Sequence, residues 1–336
     1  MGGPENTKAP ALLEVCDLGK SYTLRQGSFS GAGPALAALD GVSFSVERGQ
    51  VFGLVGESGS GKSTLGRTIV GLARPDSGRV LLEGRDLSGM GRRDLMEARR
   101  RIQVIFQDPG SALSPRRTVL QILTEPLNHF GIGARRERPA LAAEALETVG
   151  LDAGALARYP HQFSSGQRQR IGIARALLAE PDLVIADEAV SALDVSVQAQ
   201  VLELMRHLRD ERGIAFLMIS HDLAVIRQLA DVIGVMYRGQ LVEYAGRDEL
   251  FQDPHHPYTR QLLAAIPDPD PAMPPAPTVS AAGLARLPKS PGCVFAHRCD
   301  RALAYCNERP PGEHRPGPAP EHRVKCHLYQ DGPDSP

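Results

Sequence analysis

In Gly56-Glu57-Ser58-Gly59-Ser60-Gly61-Lys62-Ser63-Thr64, the first eight residues fit the pattern G-x-x-x-x-G-K-[ST], and the stretch directly follows the apolar run from Val51 to Val55. Glycines let successive backbone N–H groups close around a polyphosphate. The Lys62 ammonium neutralises the β and γ phosphates, and the Ser63 hydroxyl reaches Mg2+. The pattern implies a nucleoside-triphosphate site. Two acids, Asp187 and Glu188, close a second apolar run that starts at Leu183. At a strand end, where ligands gather in open α/β sheets, Asp187 suits Mg2+ through water and Glu188 suits polarising an attacking water. Phosphoryl transfer rests on positioning and charge stabilisation, so further polar groups are expected from separate loops. Gln107, after Val104-Ile-Phe106, and His221, after Ile219-Ser220, are the candidates.

The elements that must position these groups follow from periodicity. Leu12 to Cys16 and Val42 to Val46 alternate like half-buried strands, with a Gly/Ala/Ser-rich stretch from Gly27 to Ala38 read as a loose surface loop. Gly78 to Gly84 reads as a strand closing at a turn, Arg92 to Arg101 as a charged helix, and Val104 to Phe106 as a short buried strand. From Thr118 to Leu178 the pattern is helical, broken at Gly131 to Gly133 and at Tyr159-Pro160. Leu183 to Ala186 and Ala215 to Ile219 are continuous apolar runs, as expected of strands buried on both faces of a parallel sheet. Strands alternating with helices around a phosphate loop predict an α/β fold.

The motifs, in this order, resemble those of the ATP-binding subunits of ATP-binding-cassette (ABC) transporters. Tyr22 sits where the family has its adenine-stacking aromatic, and Gly56 to Thr64 match the Walker A loop. Gln107 matches the Q-loop, which in the family senses Mg2+ and touches the permease. Ser164, Ser165, Gly166 and Gln167 resemble the signature that caps the nucleotide of the opposite subunit, with Ser165 where relatives usually carry glycine. Asp187 and Glu188 match Walker B and its catalytic glutamate, Asp194 closes the D-loop, and His221 matches the switch histidine. The resemblance implies a P-loop cassette with a RecA-like core, an antiparallel β subdomain and a helical subdomain. Its cassette would span residues 11–252, with the helical subdomain at about 108–178. Its ligands would be ATP and Mg2+. Its partners would be a second ATPase subunit, in a heterodimer or a homodimer, two transmembrane permease subunits and, indirectly, an external solute-binding protein.

Gly66-Arg-Thr-Ile, Phe106-Gln-Asp-Pro109, Gln167 to Arg175, Asp194 to Gln200 and the tail segment Asp253-Pro-His-His-Pro-Tyr258 further resemble the oligopeptide and dipeptide importer branch, second-ATPase type. That branch implies peptide import driven from the cytoplasmic face of the membrane. Nickel, glutathione or another small solute is the alternative cargo. A non-transport cassette acting on DNA or ribosomes is a rival that usually splits or doubles the cassette, which this chain does not.

Composition is ordinary for a soluble globular protein. Lys plus Arg (38) and Asp plus Glu (39) nearly cancel, so no global field favours nucleic acid. The basic run Arg99 to Arg101 is read as a solvated face, and Arg168 and Arg170 as a solvated or intersubunit salt-bridging face. No apolar run matches a bilayer span, and the first residues lack a secretory pattern, so a cytoplasmic chain is expected. The region 253–336 carries a Pro-rich linker at 267–291 and a Cys-rich tail at 292–330. Its four thiols, Cys293, Cys299, Cys306 and Cys326, match neither a zinc ribbon nor a ferredoxin run. Peptide-importer ATPases often end in such a segment, and the resemblance brings in a [4Fe-4S] cluster. Zinc with His297 or His327 assisting, and plain thiols, stay open. Cys16 is read as a small core residue.

Overall fold

The computed structural model describes residues 10–23, 35–107, 113–191, 193–266, 291–317, 319 and 321–330. The expected linker falls almost wholly outside them. Strands β1 (Leu13–Thr23), β2 (Ala35–Val46), β4 (Ser77–Leu82) and β5 (Arg85–Asp86) form an antiparallel sheet in the order β2-β1-β4-β5. The main sheet runs β11-β12-β10-β9-β3-β8-β7-β6, built from β3 (Val51–Val55), β6 (Ile102–Ile105), β7 (Leu183–Asp187), β8 (Ala215–Ser220), β9 (Val232–Tyr237), β10 (Gln240–Gly246), β11 (Glu313–His314) and β12 (Arg323–Lys325). Its centre, β9-β3-β8-β7-β6, is parallel.

Side-chain alternation explains why the central strands are apolar throughout. In β3, Val51 and Val55 face the core shared with the helical region, whereas Phe52 and Leu54 face the core shared with the antiparallel sheet. Phe44 of β2 stacks on Phe52 with ring centres 4.6 Å apart and so joins the two sheets.

Helices α1 (Lys62–Ile69) and α2 (Arg92–Arg101) follow the first strands, and α3 (Val119–Phe130), α4 (Arg138–Thr148) and α5 (Ser165–Leu177) form the helical region. Thr118 and Gln121 exchange side-chain and backbone bonds in a capping box that starts α3, and Gly131 stops it in a left-handed conformation. Then come α6 (Val195–Arg212), α7 (Leu223–Leu229), α8 (Arg247–Gln252) and α9 (Pro257–Ala264).

Four local readings are corrected. Strand β2 starts at Ala35, inside the stretch expected to be loop, because Ala35, Leu36 and Ala37 pair with Thr23, Tyr22 and Ser21 of β1, and cross-strand pairing overrides the composition. Strand β6 stops at Ile105, leaving Phe106 exposed. Arg168 and Arg170 are not a solvated face. They donate to the carbonyls of Phe163 and Val149 at 2.7 and 3.0 Å and tie the helical region together. In the basic run, Arg101 bridges Glu83 and Asp182, and Arg100 reaches Glu180, so it links the main sheet to the antiparallel one.

Candidate active site

The phosphate loop turns from β3 into α1, where the N-cap Gly61 has φ 109°. A Cβ there would meet the backbone carbonyl of Ala38, so glycine is required both for its conformation and for close approach. Ser58 and Gly59 form the exposed tip, while Ser60 is buried and its carbonyl accepts from Gly239 N at 2.8 Å. Lys62 is only 5% exposed, and its Nζ donates to the carbonyls of Gly56 at 2.6 Å and Glu57 at 3.0 Å. Burial holds the Lys62 pKa below the ordinary lysine value, while the carboxylates of Glu188, Asp187 and Glu57 pull the other way. Its ammonium is thus held by carbonyls that phosphate oxygens can replace. Thr64 lies in the first turn, its carbonyl accepting from the Thr68 hydroxyl at 2.7 Å.

Four strand ends deliver the remaining groups to one place. Ser63 Oγ donates to Asp187 Oδ1 at 3.1 Å, bringing together two oxygens suited to Mg2+. Burial raises the Asp187 pKa, the neighbouring Glu188 charge adds to the rise, and the Ser63 bond opposes it. Glu188 carries φ +48°, a left-handed conformation that costs a non-glycine residue about 1 kcal/mol or more. It is held there by its N–H to Ile219 O at 2.9 Å and by Ser191 Oγ donating to its carbonyl at 2.9 Å. Its carboxylate accepts from Gln107 Nε2 at 2.7 Å, and its other oxygen lies 3.3 Å from His221 Nδ1. A carboxylate held between an amide and an imidazole, beside a lysine and a Ser–Asp pair, can polarise water toward a terminal phosphate.

The other expected ligands sit on exposed element ends and bond locally. Ser164 caps α5, accepting from Gln167 N at 3.3 Å, while Gln167 Oε1 accepts from Ser164 N at 3.1 Å. Ser165 is half-buried, and Gly166 is buried where a Cβ would strike Val197 of α6. Asp194 is the exposed N-cap of α6, followed by Val195 at 83% exposure. Tyr22, near the end of β1, is 42% exposed with Lys20 Nζ 5.5 Å from its ring centre.

The sequence model described as ABC transporter matches residues 39–191, and that of the oligopeptide/dipeptide transporter C-terminal region matches 242–306. The oligopeptide transport ATP-binding protein AppF of Bacillus subtilis is 45% identical over 95% of this chain and 97% of its own. The chain belongs to the ATP-binding subunits of ABC peptide transporters. A probable peptide ABC transporter ATP-binding protein, y4tS of Sinorhizobium fredii, is 48% identical over 95% of this chain and 90% of its own. Among solved structures, the dimeric cassette MJ0796 bound to ADP and Pi superposes with a TM-score of 0.62 at 28% identity, covering 70% of this chain and 98% of that one. The structure of cbiO1 from Clostridium perfringens, titled part of the ABC transporter complex cbiONQ, gives a TM-score of 0.61 at 26% identity over 73% of this chain and 92% of that one. The ABC subunit is therefore an ATPase that uses ATP with Mg2+ and works in association with transmembrane permease subunits. No helix among the described residues is long and apolar enough to cross a membrane.

The tail of the ABC subunit packs on the cassette through contacts with no local sequence signal. Glu243 of β10 is buried and accepts from His255 N at 2.6 Å and His256 N at 3.0 Å, with His322 Nε2 2.8 Å away. His256 Nδ1 caps α9, accepting from Tyr258 N at 3.0 Å, which requires that nitrogen to be unprotonated. Burial pushes the His256 pKa down to about 4 from 6.5, and burial lowers His255 as well. Between those values the unfolded chain takes up a proton that the fold refuses. Stability therefore falls as pH drops from 6.5 to 4, by up to about 3 kcal/mol for His256 alone. Glu243, held below the usual carboxylate range although burial opposes this, stays charged in the fold while the unfolded glutamate takes up a proton toward pH 4, so it steepens the lower end of the fall. The melting temperature is expected to fall across it, and His256→Asn, which keeps a capping acceptor, should flatten the fall.

The four tail thiols, with Arg301 and His327, line one cavity of about 10 Å3, room for about one water. Among the described residues, no group of three or more His, Cys, Asp or Glu is arranged to hold a metal ion, so the zinc reading finds no shell. His297 lies instead 3.4 Å from the Tyr237 hydroxyl, and His327 Nε2 is 2.9 Å from Arg309 O. His327 Nδ1 is buried without a hydrogen-bond partner among the described residues. Burial raises the Cys293 and Cys299 thiols and pushes Cys326 up to about 12, so they are protonated at neutral pH. Cys16 is half-buried in β1, out of alternation with the buried Leu13 and Val15, so the core reading is corrected.

Proposed function

We propose that this chain hydrolyses ATP to energise uptake of short peptides, from the cytoplasmic face of the membrane, as one of two cassettes that sandwich two nucleotides head to tail. The observation that carries the chemistry is the Glu188 carboxylate, held by Gln107 and His221 beside the phosphate loop. Glu188 polarises the attacking water, Lys62 and the loop from Gly56 to Thr64 hold the phosphates, and Ser63, Asp187 and Gln107 hold Mg2+. Tyr22 stacks on the adenine. Ser164, Gln167 and Asp194 are exposed, and with the half-buried Ser165 and the buried Gly166 between them they face the other cassette's nucleotide, an assignment supported by the dimeric form named for MJ0796. The partner is a second ATPase subunit, in a heterodimer or a homodimer. Gln107 and the helical region pass the closing motion to two permease subunits, fed by an external solute-binding protein.

The names of the relatives, oligopeptide and peptide transport ATP-binding proteins, support peptide cargo. Purification from membranes is expected to recover a permease pair and a second ATPase, and a strain lacking the chain should lose peptide uptake. Recovery with ribosomes instead would overturn the transport reading. At the cap, Ser165→Gly is expected to leave dimer ATP hydrolysis unchanged or raise it, as removal of a side chain at a close-approach position should. A large fall would show that the serine is needed.

A [4Fe-4S] cluster in the tail, held by Cys293, Cys299, Cys306 and Cys326, rests on the resemblance of the tail alone: the four thiols line one cavity, but among the described residues they are not arranged to hold a metal. Bound there, it would supply four thiolate links between segments far apart in sequence. A brown protein after anaerobic purification is expected. Colourless protein without iron would overturn this assignment.

A further inference from the structure

Glu57 is the second residue of the phosphate loop, so a carboxylate stands in a site built for a polyanion. Left alone, it would oppose phosphate binding. It is not alone. Arg298 grips it from the tail with two parallel bonds, Nη1 to Oε2 at 2.9 Å and Nη2 to Oε1 at 3.0 Å. Both side chains are mostly buried, at 13% and 25% exposure. The Glu57 backbone N–H donates at 2.9 Å to the hydroxyl of Tyr258, which is fully buried.

These two tail residues are themselves fixed. Tyr258 packs against Tyr237 and Phe295 with ring centres 4.6 and 5.4 Å away, and the Arg298 guanidinium lies over Phe295 and Tyr237 at 5.7 and 5.9 Å. Arg298 ends the short turn Ala296–Arg298, which lies between Cys293 and Cys299.

We propose that Arg298 and Tyr258 are positioning residues of the ATP site. Arg298 cancels the Glu57 charge, Tyr258 fixes the Glu57 backbone, and the affinity of the phosphate loop for ATP depends on the docked tail. The inference rests on the loop being the ATP site, which ATP binding by the unaltered chain checks separately.

The test is equilibrium binding of Mg-ATP to the full-length chain, with steady-state hydrolysis and thermal melting alongside. Arg298→Ala is expected to weaken ATP about tenfold, the scale of one lost charge-assisted bond, with the change falling on KM rather than kcat. Arg298→Lys should restore part of it. Adding Glu57→Gln to Arg298→Ala should return most of the lost affinity, because the charge left uncompensated is then gone. A double variant as weak as the single one, or an Arg298→Ala variant that binds ATP as the unaltered chain does, overturns the proposal. Should Arg298→Ala not melt cooperatively, Arg298→Gln, which keeps a donor without the charge, enters the same cycle with Glu57→Gln and is judged by the same outcomes.

Discussion

Glu188→Gln is expected to lower ATP turnover by about 10²-fold or more while ATP still binds and the closed dimer accumulates. The substitution keeps the side chain's size and its reach to Gln107, 2.7 Å away, but removes the charge proposed to polarise water. Since the left-handed backbone at Glu188 is held by main-chain bonds and Ser191, the fold around it should not change. Hydrolysis assays, with size-exclusion in the presence of Mg-ATP, check this. A variant that turns over at the original rate would remove Glu188 from its role.

The largest effect on stability is expected from Glu243→Leu. Leucine supplies no acceptor, so His255 N, His256 N and His322 Nε2 would lose their shared partner inside the protein. Breaking a buried, hydrogen-bonded charge from one side typically costs about 3–5 kcal/mol. Denaturant unfolding should report the loss, and limited proteolysis should show the region after β10 released first. Unchanged stability would mean that these groups find water once the carboxylate is gone.

Much of the α/β frame was legible because it is local. The apolar runs of β3, β7 and β8, and the polar residues just beyond β6 and β8, are readable in short windows, and the hydrogen bonds that join Gln107 and His221 to Glu188 follow from the parallel strand order. Strand β2 was only half legible, since Ala35 to Ala38 become strand only by pairing with β1. Arg168 and Arg170 read as surface charges because no sequence pattern shows which carbonyl a guanidinium will meet. Least legible was the tail. Tyr258 was noted as part of a motif, but its bond to Glu57 crosses 201 positions, and that of Arg298 crosses 241. A tail rich in proline and cysteine reads as an appendage. Its apolar anchor, Phe295, is a single residue that becomes informative only beside Tyr237 and Tyr258.

Strand β12 pairs with β10 through Glu243–Val324 and Tyr244–Arg323, and β11 pairs outside it. Without the tail, β10 would present a free row of amides and carbonyls to any other extended chain. With it, the sheet ends instead in the two-residue β11, whose Glu313 faces Arg323 in an ion pair. A short, charged border of this kind resists strand-to-strand association. Shortening the chain before residue 291, to obtain a bare cassette, would therefore yield not a simpler ATPase but a sticky one, prone to pair edge to edge with its own copies.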